Sequence, residues 1–201
     1  MKLNARQLRQ LEKSEKLPKI KRWPVYFILE NIYDTYNVGG LFRLADALAI
    51  EKIYLCGETE IPPNPKIKKA SIGTDKIVAW EYKQTAASAI KKLRSSLGSR
   101  FKPACRQGRV QGSKNKKSQI TIVAVEQHPN SIPYHQAKYN LPLALVFGNE
   151  TFGILPETLK LADQIVEIPM FGINKSLNVI VSATIVGYHI INEPDKSINV
   201  D

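Results

Sequence analysis

Five short runs of apolar residues recur along the chain, at residues 25–29, 53–55, 120–125, 143–147 and 165–168. They are rich in Val, Ile and Leu, and they lack the regular alternation of apolar and polar positions that marks a strand with one solvent-facing side. Runs of this kind are typical of strands covered on both faces of a sheet. The pattern therefore predicts five buried strands.

Helical patterns lie between these runs and after the last of them, at residues 38–48, 85–97, 156–161 and 176–192. The last segment is apolar on two faces, so we expect a helix that is buried nearly all round. Its many β-branched residues also allow a strand, but its length favours a helix. The outer side of such a helix needs cover, which a second copy of the chain would supply.

Strands that alternate with helices indicate an α/β fold with a mostly parallel sheet and helices on both faces. A length of 201 residues with 43% hydrophobic content suits one globular domain. We assign this domain to residues 23–193. It is preceded by a helical extension at residues 1–22, with a short polar helix at residues 4–16, and followed by a tail at residues 194–201.

The formal net charge of +11 is concentrated in two segments. Residues 1–22 hold eight Lys and Arg against two Glu, and residues 99–119 hold seven Lys and Arg without an acid. The second segment is predicted to be a long basic insertion in the domain, either functional or disordered. Solvation alone explains a single basic run, but two runs beside a nearly neutral domain favour a polyanionic partner such as nucleic acid.

Several classes of protein are excluded by missing motifs. Cys56 and Cys105 form no C-x-x-C pair, and the three His residues lie in unrelated contexts, so we expect neither a disulfide framework nor a metal site. The glycine-rich dinucleotide and P-loop signatures are absent. The chain has no secretory signal pattern, and residues 176–192 fall short of the roughly 20 apolar residues of a membrane span. We therefore expect a cytoplasmic protein without a membrane segment.

Three polar, glycine-containing segments follow predicted strands, where open α/β sheets build ligand sites. The first runs from Asn37 to Arg43 and reads N-x-G-x-x-x-R. The second, from Gly148 to Gly153, reads G-x-E-x-x-G, and the third reads I-P-M at residues 168–170 followed by S-L-N at residues 176–178. Each motif alone is weak, but their order and spacing together are distinctive.

In these three motifs the chain resembles the SpoU (TrmH-like) branch of the SPOUT RNA methyltransferases, over about residues 25–192. The resemblance implies a C-terminal trefoil knot, which sequence patterns alone do not suggest because knots are almost absent from general fold rules. It also implies a homodimer, S-adenosyl-L-methionine as methyl donor, and methylation of a ribose 2′-hydroxyl in RNA.

The resemblance also implies roles for particular residues. The donor pocket is expected to use the main chain of Gly148, Ile168 and Leu177, with Met170 in the same loop; core packing is the alternative role for Ile168 and Leu177. Arg43 is expected to carry the main catalytic role, and the remaining motif positions, Asn37, Glu150, Ser176 and Asn178, to orient Arg43, the ribose and the loops.

Each polar motif residue also has an ordinary structural role open to it. Asn37 and Ser176 are residue types that commonly cap helices, and Arg43 has Asp46 and Glu30 as candidate ion-pair partners. An arginine is a poor general base, because its pKa stays above about 12. We therefore expect Arg43 to hold the phosphate next to the target ribose, with the hydroxyl proton lost either to that phosphate or to a transiently neutral guanidinium.

The leading interpretation is an RNA ribose 2′-O-methyltransferase acting on tRNA. Ribosomal RNA is the alternative substrate, and a catalytically silent RNA-binding protein of the same fold is the alternative function. The compact chain with short basic segments favours tRNA.

Overall fold

The computed structural model describes Asn4, Gln7 and residues 20–97 and 120–192. The predicted N-terminal helix, the basic insertion and the tail lie almost wholly outside these residues. The strands are β1 (Trp23–Glu30), β2 (Ile50–Cys56), β3 (Trp80–Lys83), β4 (Thr121–Val125), β5 (Ile132–Pro133), β6 (Leu143–Phe147) and β7 (Gln164–Glu167). The α-helices are α1 (Thr35–Ala47), α2 (Pro65–Ser71), α3 (Ala86–Leu97), α4 (Pro156–Leu159) and α5 (Val179–Ile191).

The seven strands form one sheet in the order β3-β2-β1-β6-β4-β7-β5, and every pairing between them is parallel. Side chains of β1 alternate between two apolar layers: Phe27 and Leu29 belong to the layer that contains α1 and α5, and Tyr26 and Ile28 to the layer that contains α3. This explains why β1 reads as an unbroken apolar run, since both of its faces are covered. The predicted α/β class is confirmed.

All five predicted strands and all four predicted helices within the described residues are present. The sequence analysis missed β3 and β5 at the two edges of the sheet, together with the helix α2. β3 is half-exposed and carries charged residues, β5 is two residues long, and α2 buries only Ile67 and Ser71. None of these elements has the apolar content from which the others were predicted.

The last helix is shorter and less buried than expected. It begins at Val179 instead of residue 176, and its buried side includes Ala183, Val186 and Ile190. On the opposite side Val181 and Tyr188 are 44% and 43% exposed. The expectation of burial nearly all round is therefore wrong for the single chain, because only one face of α5 meets α1 and the sheet.

Two carboxylates at strand ends hold the loop that follows β6. Glu30, at the end of β1, is 2% exposed and accepts hydrogen bonds from the Leu155 backbone N–H at 2.9 Å and the Thr158 hydroxyl at 2.6 Å. Glu126, which follows β4, accepts from the Ile154 backbone N–H at 2.9 Å. Burial raises the pKa of Glu30 above its ordinary value of 4.5, although the hydrogen bonds from Thr158 and Leu155 act to lower it.

This environment predicts a pH-dependent effect of Glu30→Gln on stability. The amide can accept from Leu155 and donate to Thr158, and it removes the cost of burying a charge. In wild type the protonated Glu30 makes its full contribution to the free energy of unfolding below pH 4.5. This contribution is lost as the pH rises through the raised pKa of Glu30 in the folded state. The free energy of unfolding of Glu30→Gln, relative to wild type, should therefore increase between pH 4 and pH 7.

Urea titrations at several pH values measure this difference. Glu30→Ala serves as the comparison, because it leaves the Leu155 N–H and the Thr158 hydroxyl without their acceptor and should be less stable than Glu30→Gln by about 1–3 kcal/mol at every pH. A difference between Glu30→Gln and wild type that is constant with pH would contradict the account.

Candidate active site

A cavity of about 320 Å³ opens at the carboxyl edge of the sheet. Because all the strands run in parallel, the loops after β4, β6 and β7 emerge at this edge and surround the cavity. Its wall also includes the first residues of α5. The residues that line it are Val125, Glu126, Gln127, Phe147, Gly148, Asn149, Glu150, Thr151, Gly153, Glu167, Ile168, Met170, Lys175, Ser176, Leu177, Val179 and Ser182.

Gly148 lies where two stretches of backbone pass close together. Asn149 and Gly153 exchange backbone hydrogen bonds at 3.0 and 2.9 Å, which folds the loop into a tight turn. A Cβ added at Gly148 would collide with the backbone of Gly153 and Ile154. Gly153 itself has a φ of +70°, a conformation that residues with a side chain rarely adopt. The turn that borders the cavity therefore requires glycine at both ends of the motif.

Three polar side chains from distant parts of the sequence form a hydrogen-bonded chain beside the cavity. Asn178 Nδ2 donates to Asn37 Oδ1 at 2.9 Å, and Asn37 Nδ2 donates to Glu150 Oε1 at 2.9 Å. The backbone N–H of Tyr33 donates to Glu150 Oε2 at 3.4 Å. The chain thus joins the start of α1, the loop after β6 and the start of α5.

The structure assigns the helix caps to other residues than those considered from the sequence. Asp34 caps α1 by accepting from the Tyr36 backbone N–H at 2.8 Å, so Asn37 lies inside the helix and is 6% exposed. Asn178 caps α5 by accepting from the Ile180 N–H at 2.8 Å, so Ser176 is not the cap. The capping alternatives for Asn37 and Ser176 are therefore wrong, and Asn178 combines a cap with the contact to Asn37.

Arg43 is exposed on α1 and does not line the cavity. Its two candidate partners are engaged elsewhere: Asp46 lies 3.8 Å from the Arg22 guanidinium, and Glu30 is buried against Thr158. Among the described residues Arg43 forms no ion pair. Its guanidinium is therefore available for a ligand outside the chain.

The structure brings most of the candidate residues to one place. Gly148, Ile168, Met170 and Leu177, expected at a donor pocket, all line the cavity, as do Glu150 and Ser176. Asn37 and Asn178 are tied to Glu150 by the hydrogen-bonded chain, whereas Arg43 lies apart, six positions beyond Asn37 on α1.

Further polar residues of the cavity were missed from the sequence. Glu126, Glu167 and Lys175 line it, and Glu167 accepts from the Ser131 hydroxyl at 2.8 Å. Glu126 directly follows an apolar run, so the rule that sites form at strand ends could have found it. Together with Glu150, three carboxylates and one lysine line the cavity. This excess of negative charge favours a cationic ligand.

Within residues 20–97 and 120–192 no group of three or more His, Cys, Asp or Glu is placed to hold a metal ion. No helix of these same stretches is long and apolar enough to cross a bilayer.

The chain belongs to the SpoU rRNA Methylase family, which matches residues 24–101 and 94–188. It is 25% identical over 163 residues to the tRNA (guanosine(18)-2'-O)-methyltransferase of Escherichia coli K12, covering 80% of this chain and 59% of the relative. It is 28% identical over 172 residues to the 23S rRNA (guanosine-2'-O-)-methyltransferase RlmB of Neisseria meningitidis, covering 85% of this chain and 59% of the relative. The chain thus spans about three fifths of the length of these curated relatives.

The fold is shared with solved structures of SpoU methyltransferases. The AviRb enzyme of Streptomyces viridochromogenes in complex with the cofactor AdoMet superposes with a TM-score of 0.70 at 21% identity, covering 85% of this chain and 61% of that chain. This likeness supports the α/β architecture of the sheet.

Proposed function

We propose that the protein is an S-adenosyl-L-methionine-dependent RNA methyltransferase that modifies a ribose 2′-hydroxyl in tRNA. The observation that carries this proposal is the cavity at the carboxyl edge, because Gly148, Ile168, Met170 and Leu177 line it together and the chain of Asn37, Glu150 and Asn178 borders it. The names of the two curated relatives, both guanosine 2′-O-methyltransferases, support the reaction class.

The residues of the cavity suit S-adenosyl-L-methionine. Gly148, Ile168 and Leu177 line the cavity, where their backbone groups can meet the adenine edge, and the absence of a side chain at Gly148 allows the tight turn against Gly153 and Ile154 that forms this wall. The carboxylates of Glu126, Glu150 and Glu167 favour a positively charged donor. When bound, S-adenosyl-L-methionine supplies the electrophilic methyl group. The AdoMet complex of AviRb supports the same choice of donor.

The role of Arg43 follows from its exposure and its chemistry. A guanidinium keeps its proton under ordinary conditions and presents a planar fork that matches phosphate. Arg43 therefore holds the phosphate next to the target ribose, and the hydroxyl proton leaves either to that phosphate or to a transiently neutral guanidinium. Asn37, Glu150, Ser176 and Asn178 position the loops and the ribose, because the hydrogen bonds through Asn37 fix α1 against both loops.

The same proposal includes a trefoil knot. α5 follows β7 in the chain, but it packs against α1, which follows β1. Because β4 and β6 lie between β7 and β1, residues 168–178 must cross the ends of these strands to reach α1. Such a crossing over the cavity is one requirement of a knot, and the proposal is that the segment also passes through a loop of the chain. The RNA substrate would place the protein in the cytoplasm.

A methyl-transfer assay with Arg43 variants tests the function. Wild type is expected to transfer labelled methyl groups to the 2′-hydroxyl of tRNA isolated from cells that lack this gene. Arg43→Ala should reduce the rate about 100-fold or more, since it releases the reacting ribose from its position, but should bind S-adenosyl-L-methionine as wild type does. Arg43→Lys should restore little of the transfer rate, because a lysine ammonium group does not make the bidentate contact with phosphate that a planar guanidinium makes.

Lys91→Ala, an exposed position on α3 across the sheet, is the control and should transfer normally. Transfer to ribosomal RNA alone would favour the alternative substrate suggested by the Neisseria relative. Transfer to neither RNA would favour a silent RNA-binding protein and contradict the proposal. Near wild-type activity of Arg43→Lys would exclude the bidentate phosphate contact.

A homodimer is also part of the proposal, and the outer face of α5 is its expected interface. Val181 and Tyr188 are 44% and 43% exposed on this side, and in the preceding loop Leu177 is 38% exposed and Phe171 and Ile173 are almost fully exposed. A cluster of large apolar side chains in solvent is typical of an interaction site. A second copy is the partner that fits the family resemblance.

Val181→Glu should therefore shift the protein from dimer to monomer in sedimentation at micromolar concentration, because it buries a charge in the interface. Tyr82→Glu is the matched control: Tyr82 is similarly exposed, at 45%, but lies on β3 at one edge of the sheet. It should remain dimeric. A wild-type monomer that is active would contradict the dimer.

A further inference from the structure

A second cavity, of about 610 Å³, lies between the starts of α1 and α2. Tyr33, Tyr36, Glu60, Asn64 and Lys66 line it, and none of them has a role in the reaction proposed above. Its volume lies within the range of roughly 300–1,000 Å³ typical of small-molecule sites. Its lining combines two tyrosine rings with the Glu60 carboxylate, the Asn64 amide and the Lys66 ammonium group.

The side chain of Tyr33 and the backbone of Tyr36 are held in place, and both rings remain accessible. Tyr33 and Tyr36 are 51% and 49% exposed. The Tyr33 hydroxyl donates to Glu58 Oε2 at 2.7 Å, and the backbone of Tyr36 is fixed by the cap from Asp34. Large aromatic side chains that are ordered and half-exposed offer flat surfaces on which another ring can stack.

The cavity adjoins the proposed active site. The backbone N–H of Tyr33 donates to Glu150, which in turn accepts from Asn37. Tyr36 and Arg43 are seven residues apart on α1, which places both exposed side chains on the same face of the helix, about 10 Å apart along its axis. That distance is comparable to the span of one or two nucleotides of an extended strand.

We propose that this cavity holds a base of the RNA close to the methylated nucleotide. The base stacks on Tyr36, its N–H groups donate to Glu60, which Asn64 Nδ2 orients by donating to Oε2 at 3.5 Å, and Lys66 meets the adjacent phosphate. Stacking of unpaired bases on aromatic side chains is the usual way in which proteins hold single-stranded RNA, and the mixture of rings and polar groups matches a nucleobase. The inference rests on the proposed RNA-modifying function.

Binding of short RNA to the full-length protein tests this proposal without methyl transfer. The probes are fluorescein-labelled decamers of adenylate, cytidylate, guanylate and uridylate, together with a decamer of the same sugar-phosphate backbone in which every base is replaced by a stable abasic spacer. Because all probes carry the same charge, the abasic decamer reports attraction of the protein to the sugar-phosphate backbone alone.

Tyr36→Ala should weaken binding of at least one base-bearing decamer roughly 5- to 150-fold, the effect of about 1–3 kcal/mol of stacking. Binding of the abasic decamer should change less than about twofold. Tyr36→Phe keeps the ring and should bind as wild type, and Tyr82→Ala, on β3 at one edge of the sheet, should also be neutral. Equal melting temperatures for the variants would exclude a loss of folding.

The outcomes separate this proposal from the proposed function. Unchanged affinity in Tyr36→Ala, or equal weakening for base-bearing and abasic decamers, overturns the base site while methyl transfer to tRNA still stands. Loss of binding in Tyr36→Phe as severe as in Tyr36→Ala also overturns it, because stacking does not need the hydroxyl. A wild-type protein that binds no decamer and methylates no RNA overturns both.

Discussion

The hydrogen-bonded chain from Asn178 through Asn37 to Glu150 is the constraint on which the arrangement of the site depends. Its two contacts join residues 141 and 113 positions apart in the sequence. Asn37 is buried, so an unpaired amide there would cost about 1–3 kcal/mol. Asn37 satisfies its oxygen and one of its N–H groups only when α1, the loop after β6 and the start of α5 are all in position.

The sheet makes this chain possible. β1 pairs with β6, and β6 pairs with β4, so the loops that follow these strands emerge side by side. Glu30 and Glu126, at the ends of β1 and β4, then bind the backbone of the β6 loop at Leu155 and Ile154. The loop is held from both sides, which fixes the wall of the cavity at the carboxyl edge before any ligand binds. The two hydrogen bonds of Glu30 offset only part of the cost of burying its charged form.

α1 connects the two halves of the proposed chemistry. Its inward side carries Asn37 next to the cavity, and its exposed side carries Tyr36 and Arg43. A donor held in the cavity and an RNA strand lying along the exposed side would therefore meet across a single helix. This arrangement explains why the arginine of the first motif is free of partners within the described chain while the asparagine of the same motif is fully engaged.

The sequence was sufficient to predict the buried strands and the main helices, because their apolar patterns follow directly from burial on one or both faces. It was insufficient for β3 and β5, which lie at the edges of the sheet, and for α2, because all three contain too few apolar residues. The motifs predicted that their polar residues meet at one site. They did not predict that Asp34 caps α1, or that Asn178 both caps α5 and contacts Asn37, which is 141 positions away in the sequence. Glu126 and the tyrosine-lined cavity likewise belong to no motif.

The central claim, that the cavity at the carboxyl edge binds the methyl donor through tightly packed backbone, is tested most directly by calorimetric titration of S-adenosyl-L-methionine into wild type, Gly148→Ala and Gly172→Ala. A Cβ at Gly148 collides with the backbone of Gly153 and Ile154, whereas a Cβ at Gly172 meets no atom within 4 Å. Wild type and Gly172→Ala should bind saturably, and Gly148→Ala should lose binding. No binding by wild type, or equal binding by Gly148→Ala, would contradict the account.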